Sequence, residues 1–154
     1  MAFGMHECIP EMTSRIVIIE DNPADAKVLQ LAIHQSDPNI EITVLSDGKA
    51  ALDFFTTEEP GSFDIVILDL NLPIVSGFEI LEHVKCDPAL KAIPVLVLSG
   101  SSYQQDIERS LQLGANSYLC KPAGIEEVFE MGAEIVRYWF VVSHLRARHA
   151  ATVC

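Results

Sequence analysis

The chain has 154 residues, enough for one domain with a substantial core, and its 49% hydrophobic and 21% charged composition is that of a folded globular protein. A net charge of −12 excludes sequence-independent nucleic-acid binding, which needs a basic face. Four cysteines (Cys8, Cys86, Cys120, Cys154) form no CxxC pair, so reduced thiols in a cytoplasmic setting are expected rather than a disulfide framework or structural zinc.

Residues 1–14 lack a charged start followed by an apolar run and read as a mobile leader, not an export signal. No apolar stretch reaches the roughly 18 residues of a spanning helix, so no membrane partner is expected. The first strand is predicted over 15–20 (RIVIIE) and ends on Glu20 and Asp21. Asn22 then caps a helix with Pro23 at its first position, and Ala26, Leu29, Ala32 and Ile33 recur at helical spacing. A second strand over 41–45 leads to a short helix opened by Asp47-Gly48.

The third strand, 65–68, is wholly aliphatic and runs into Asp69 and Asn71. Ser76-Gly77 opens a helix carrying Ile80, Leu81 and Val84, which stops near Asp87-Pro88. A fourth strand is predicted over 94–98, with Pro94 at its start, followed by Ser99. The next helix follows Ser102, carries Ile107 and Leu111, and ends at Gly114. A fifth strand over 118–120 delivers Lys121, and a last helix runs from about Ile125 past Trp139.

Five strands alternating with helices define an α/β domain with a doubly wound, five-stranded parallel sheet and right-handed crossovers. Chemistry in such sheets gathers beyond the carboxyl ends of the strands. That brings together Glu20, Asp21, Asp69, Ser99 and Lys121. Ionised carboxylates beside apolar strands are costly unless neutralised, so a cation is the missing partner. Glu20, Asp21 and Asp69 are hard oxygen donors suited to Mg²⁺, and the main-chain carbonyl of Asn71 offers one more. An aspartate can act as covalent nucleophile toward phosphorus, with Lys121 and the Ser99 hydroxyl binding phosphoryl oxygens.

Each residue also has a plainer reading. Asp69 could cap the turn after its strand, Ser99 could be a turn residue, Lys121 a solvated lysine and Tyr118 simple packing. Their joint order argues against that. The segments "IIED", "ILDLNLP" with Gly77 eight residues after Asp69, "VLSGS" and "CKP", with 30 residues from Asp69 to Ser99 and 22 from Ser99 to Lys121, resemble the receiver domains of two-component response regulators over about 15–145. The resemblance implies a flavodoxin-like, CheY-like (βα)5 fold. It implies that Asp69 accepts a phosphoryl group from a histidine kinase and that Glu20 and Asp21 bind Mg²⁺. Ser99 would be the switch hydroxyl, Tyr118 the aromatic that changes rotamer, Lys121 the phosphate contact, and the Lys121–Pro122 bond cis. "IEDNPAD", "LDLNLP" and the tail "YWFVVSHL" further resemble the single-domain regulators that accompany bacterial phytochromes. Three positions depart from the family pattern: Ser99 for threonine, Ser76 for aspartate, and Ala123 where an aromatic is usual.

Two other classes use a similar sheet. An aspartate-nucleophile phosphatase of haloacid-dehalogenase type wants a second acid two residues after the nucleophile, and Asn71 cannot serve as one. A flavodoxin-like cofactor binder wants a phosphate-cradling loop after strand one, where "EDNPAD" presents acids. The expected role is therefore a signalling switch and not a metabolic enzyme. With only residues 146–154 left as a tail, it would act by binding an unidentified downstream protein. From Ile125 onward, Val128, Phe129, Ile135, Val136, Trp139, Phe140, Val141 and Val142 exceed one docking stripe, which predicts a homodimer on the last helix, the alternative being an extension that folds back over its own domain.

Overall fold

The structure, a computed structural model, describes the backbone of residues 13–151 and the side chains through Phe140. Most of the expected leader, and the side chains of Val141, Val142 and the 146–154 tail, lie outside the described residues. Strands β1 (Arg15–Ile19), β2 (Glu41–Leu45), β3 (Ile65–Leu68), β4 (Val95–Ser99) and β5 (Ser117–Cys120) alternate with helices α1 (Pro23–Ser36), α2 (Gly48–Thr57), α3 (Gly77–Cys86), α4 (Gln104–Gln112) and α5 (Ile125–Ala151). All five strands are parallel in the order β2-β1-β3-β4-β5. The chain thus reverses its winding direction between β1 and β3, where a crevice opens at the carboxyl edge.

The continuous apolar runs are explained by burial on both faces. Val17, Ile19, Val66, Leu68, Val95 and Val97 face α2 and α3, packing on Phe54, Phe55, Ile80, Leu81 and Val84. Ile16, Ile18, Ile65, Ile67, Leu96 and Leu98 face Leu29 and Ile33 of α1 and Ile135 of α5. Period-two alternation therefore sorts each strand between two cores.

The caps follow the sequence signals. Asn22 Oδ1 accepts from the N–H groups of Ala24 and Asp25, and Asp47 Oδ1 from that of Ala50. Ser76 forms a reciprocal capping box with Glu79: its hydroxyl accepts from the Glu79 N–H, and the Glu79 carboxylate accepts from the Ser76 N–H. Gly77 is required next to Ser76. A Cβ there would collide with the backbone carbonyl oxygen of Asp69 and lie 2.5 Å from Leu70 Cα.

Three expectations are corrected. The Lys121–Pro122 bond is trans, as is every peptide bond among the described residues; trans is the lower-energy form of an X–Pro bond by about 0.5–1 kcal/mol. Strand β4 begins at Val95 because Pro94 has no N–H for the ladder, although its carbonyl accepts from Val66 N–H at 3.0 Å. Helix α4 starts at Gln104 and ends at Gln112, with Leu111 49% exposed and Ser110 its buried residue. Its apolar stripe is weaker than the spacing of Ile107 and Leu111 suggested, because α4 lies toward the β5 edge of the sheet rather than over its centre.

Candidate functional site

The acids stand where two strands stop, and a lysine where a third does. Glu20 follows β1 directly, and its N–H still pairs with the Leu45 carbonyl at 3.0 Å. Asp69 follows β3 and is tied back by its N–H to the Ile19 carbonyl at 3.0 Å. Lys121 follows β5, with its N–H on the Ser99 carbonyl at 2.8 Å. Main-chain pairing thus holds each side chain at a set height above the sheet edge.

The Lys121 ammonium joins them. Its Nζ lies 2.6 Å from Glu20 Oε2, 3.1 Å from Asp69 Oδ2 and 3.2 Å from Asp25 Oδ2. The other oxygens of the buried acids are also occupied: Asn22 N–H donates to Glu20 Oε1 at 3.0 Å, and Asn71 N–H to Asp69 Oδ1 at 3.2 Å. Glu20 and Asp69 are 6% and 4% exposed, while Asp21 is open to solvent.

One ammonium does not balance this many carboxylates. Burial raises the pKa of Glu20 above its usual range, offset in part by its hydrogen bonds to Lys121 and Asn22, and the charge of Asp69 adds to the rise. Burial alone would lower the pKa of Lys121. Its hydrogen bonds to Glu20 and Asp69, with their negative charge, outweigh that effect and raise it. Carboxylate oxygens of Glu20, Asp21 and Asp69 all lie within 4.8 Å of one another. An all-oxygen, part-buried set with excess negative charge and one open side fits a hard divalent cation.

Ser99 ends β4 and Tyr118 lies within β5. The Ser99 hydroxyl is fully buried and accepts from Ser101 N–H at 3.2 Å. Tyr118 packs half-buried against the core on the α2 and α3 side. On the other side of Lys121, a cavity of about 290 Å³ opens between α1 and the β5–α5 connection, lined by Asp25, Lys121, Ala123, Val128 and Met131 among others. Ala123, the family departure, is exposed at that wall.

The structure brings Glu20, Asp21, Asp69 and Lys121 together, Ser99 is tied to Lys121 through its carbonyl, and the Tyr118 hydroxyl bonds the Ser101 carbonyl. Asp25 was missed. The available signal was an acid in the first turn of a helix that begins immediately beyond Asp21, which points back over the sheet edge.

A carboxylate triad and a bridging lysine at the switch point of a doubly wound sheet are the layout of a phosphoacceptor signalling domain. The family model for the response regulator receiver domain matches residues 16–132, and the chain belongs to that family. It is 35% identical over 130 residues to response regulator Rcp1 of Synechocystis sp., covering 80% of this chain and 87% of that protein. It is 39% identical over 127 residues to the probable methanogenesis regulatory protein FilR2 of Methanothrix harundinacea, covering 80% and 82% respectively. Among solved structures, the phosphorylated cyanobacterial phytochrome response regulator RcpA superposes with a TM-score of 0.77 at 36% identity, covering 82% of this chain and 94% of its own. The Mn²⁺-bound form of Rcp1 superposes at 0.74 with 35% identity and the same coverage.

Proposed function

We propose that this chain is a cytoplasmic response regulator whose Asp69 accepts a phosphoryl group from a histidine kinase, and that phosphorylation switches its binding to a downstream protein. The observation that carries this reading is Lys121 bridging Glu20 and Asp69 at the sheet edge. Asp69 Oδ attacks phosphorus, the P–N bond to the donor imidazole breaks, and its electron pair stays on the ring nitrogen. Lys121 stands ready to neutralise the phosphoryl oxygens. Asp21 and Asp69, with Glu20 and the Asn71 carbonyl, are the residues that would hold Mg²⁺. When bound, that ion supplies charge neutralisation to the transferring group.

Asn71, two residues beyond the nucleophile, has an amide that can neither give nor take the proton needed for rapid hydrolysis. That favours a persistent phosphoaspartate over phosphatase turnover. Ser99 is the hydroxyl that senses the phosphoryl group, and Tyr118 passes the change to the α4–β5–α5 surface. Likeness to Rcp1 and RcpA supports a phytochrome-type kinase as the partner. The exposed Tyr138 and the length of α5 support a homodimer.

Asp69→Asn should abolish labelling by acetyl phosphate with Mg²⁺, detected as a phosphoryl mass increment on the intact protein. Asp21→Ala should lose Mg²⁺ binding, and with it the labelling that Mg²⁺ supports. Full labelling of the Asp69 variant would overturn the assignment.

A further inference from the structure

Resting on the phosphoacceptor reading, we infer that Asp25 is a positioning residue for Lys121 and selects among phosphodonors by their charge. A lysine ammonium has three N–H donors. Here three carboxylates take them: Glu20, Asp69 and Asp25, at 2.6, 3.1 and 3.2 Å. A phosphoryl group arriving on Asp69 converts that carboxylate to an acyl phosphate, so the Lys121 bond to Asp69 passes to a phosphoryl oxygen, and holding a second phosphoryl oxygen requires one of the two remaining partners to let go.

Burial decides which one. The side chain of Glu20 is 7% exposed, so it cannot exchange the lysine for water cheaply. That of Asp25 is 50% exposed, and water can take over its oxygens. Asp25 is therefore the partner given up. Until then it holds the ammonium from the solvent side, opposite the two buried acids.

Its place is firm. Asp25 N–H donates to Asn22 Oδ1 at 3.2 Å in the first turn of α1, and the following Ala26 and Leu29 are buried. The carboxylate also lines the cavity that opens beside Lys121. A small donor that places its phosphoryl oxygens on the Lys121 ammonium comes close to a fixed negative charge 3.2 Å from that ammonium, which repels it in proportion to its own charge.

An acid in the first turn also suits the helix dipole. That role would alter labelling by every donor alike. Charge selection separates them. Acetyl phosphate is dianionic at neutral pH: Asp69 Oδ attacks phosphorus, the P–O bond breaks, and acetate leaves with the electron pair. Phosphoramidate carries a protonated amine and less net negative charge: the P–N bond breaks, and ammonia leaves with the pair.

The experiment measures labelling rates of the parent, Asp25→Asn and Asp25→Glu with both donors and Mg²⁺, at low and high salt. Asp25→Asn should label with acetyl phosphate about two- to fivefold faster than the parent at low salt, the range expected of a half-exposed charge. The gain with phosphoramidate should be smaller, both gains should shrink at high salt, and Asp25→Glu should keep the parent's donor ratio. An unchanged donor ratio in Asp25→Asn, or a gain insensitive to salt, overturns the inference while leaving Asp69 as acceptor. A parent labelled by neither donor overturns the phosphoacceptor reading and this inference with it.

Discussion

The phenol of Tyr118 donates a 2.7 Å hydrogen bond to the carbonyl oxygen of Ser101, and the N–H of the same Ser101 donates to the buried Ser99 hydroxyl at 3.2 Å. The two proposed switch residues thus hold opposite poles of one peptide-bearing residue in the β4–α4 connection. Moving the Ser99 hydroxyl toward a phosphoryl group gives up its bond from Ser101. The connection must then readjust under Tyr118. Ser99→Ala should still accept phosphate on Asp69. Amide hydrogen exchange around Ser101–Tyr103 should change on phosphorylation of the parent and not of this variant. Equal change in both would exclude the coupling.

Gly77 couples the site to the fold. Its N–H donates to the Leu70 carbonyl at 3.0 Å, and a Cβ would strike backbone atoms of Asp69 and Leu70 rather than a side chain that could swing away. Gly77→Ala should cost about 1–3 kcal/mol in denaturant unfolding, the usual range for forced overpacking. It should also slow acetyl phosphate labelling, because the strand end carrying Asp69 is displaced. Gly61→Ala is the control: a Cβ there meets nothing within 4 Å.

Alkaline stability should report the Lys121 cluster. Its pKa is raised in the folded protein, so below the ordinary 10.5 it is charged in both states and its contribution is fully present. As pH rises past 10.5 the unfolded chain releases its proton first, and stability falls until the folded lysine also titrates. Lys121→Met should lack that part of the decline. Lys85 has the opposite sign: burial lowers its pKa, so stability gains with pH between its folded value and 10.5. Urea midpoints across the alkaline range, with divalent ions removed, should show Lys121→Met declining less steeply than the parent above 10.5. Parallel curves would refute the linkage.

The long last helix should make a dimer. Helix α5 runs 27 residues, about 40 Å at 1.5 Å per residue, which overshoots a sheet whose strands have five residues or fewer. Trp139 and Phe140 are partly packed against the core, whereas Tyr138 is 61% exposed and makes an edge contact with Trp139 at 5.2 Å between ring centroids. Sedimentation of the intact chain at tens of micromolar should show a dimer, lost when the chain stops before Tyr138. A monomer in both forms, with or without phosphorylation, would refute it.

Much of this molecule was legible from sequence because its signals are local or periodic. Aliphatic runs marked strands β1, β3 and β4. Asn22-Pro23, Asp47-Gly48 and Ser76-Gly77 marked three helix starts, since a cap needs only its neighbours within four residues. Strand ends carrying Glu20, Asp69 and Lys121 located the site, because parallel topology sends all carboxyl ends to one edge. What the order of residues could not supply were quantities set by packing between distant segments. The trans Lys121–Pro122 bond, the exposure of Leu111 and the cavity beside Ala123 depend on how α1, α4 and α5 seat on the sheet. So does the third bond of Lys121: Asp25 is 96 residues away along the chain, and only the packing of α1 against α5 brings its carboxylate within 3.2 Å of the ammonium.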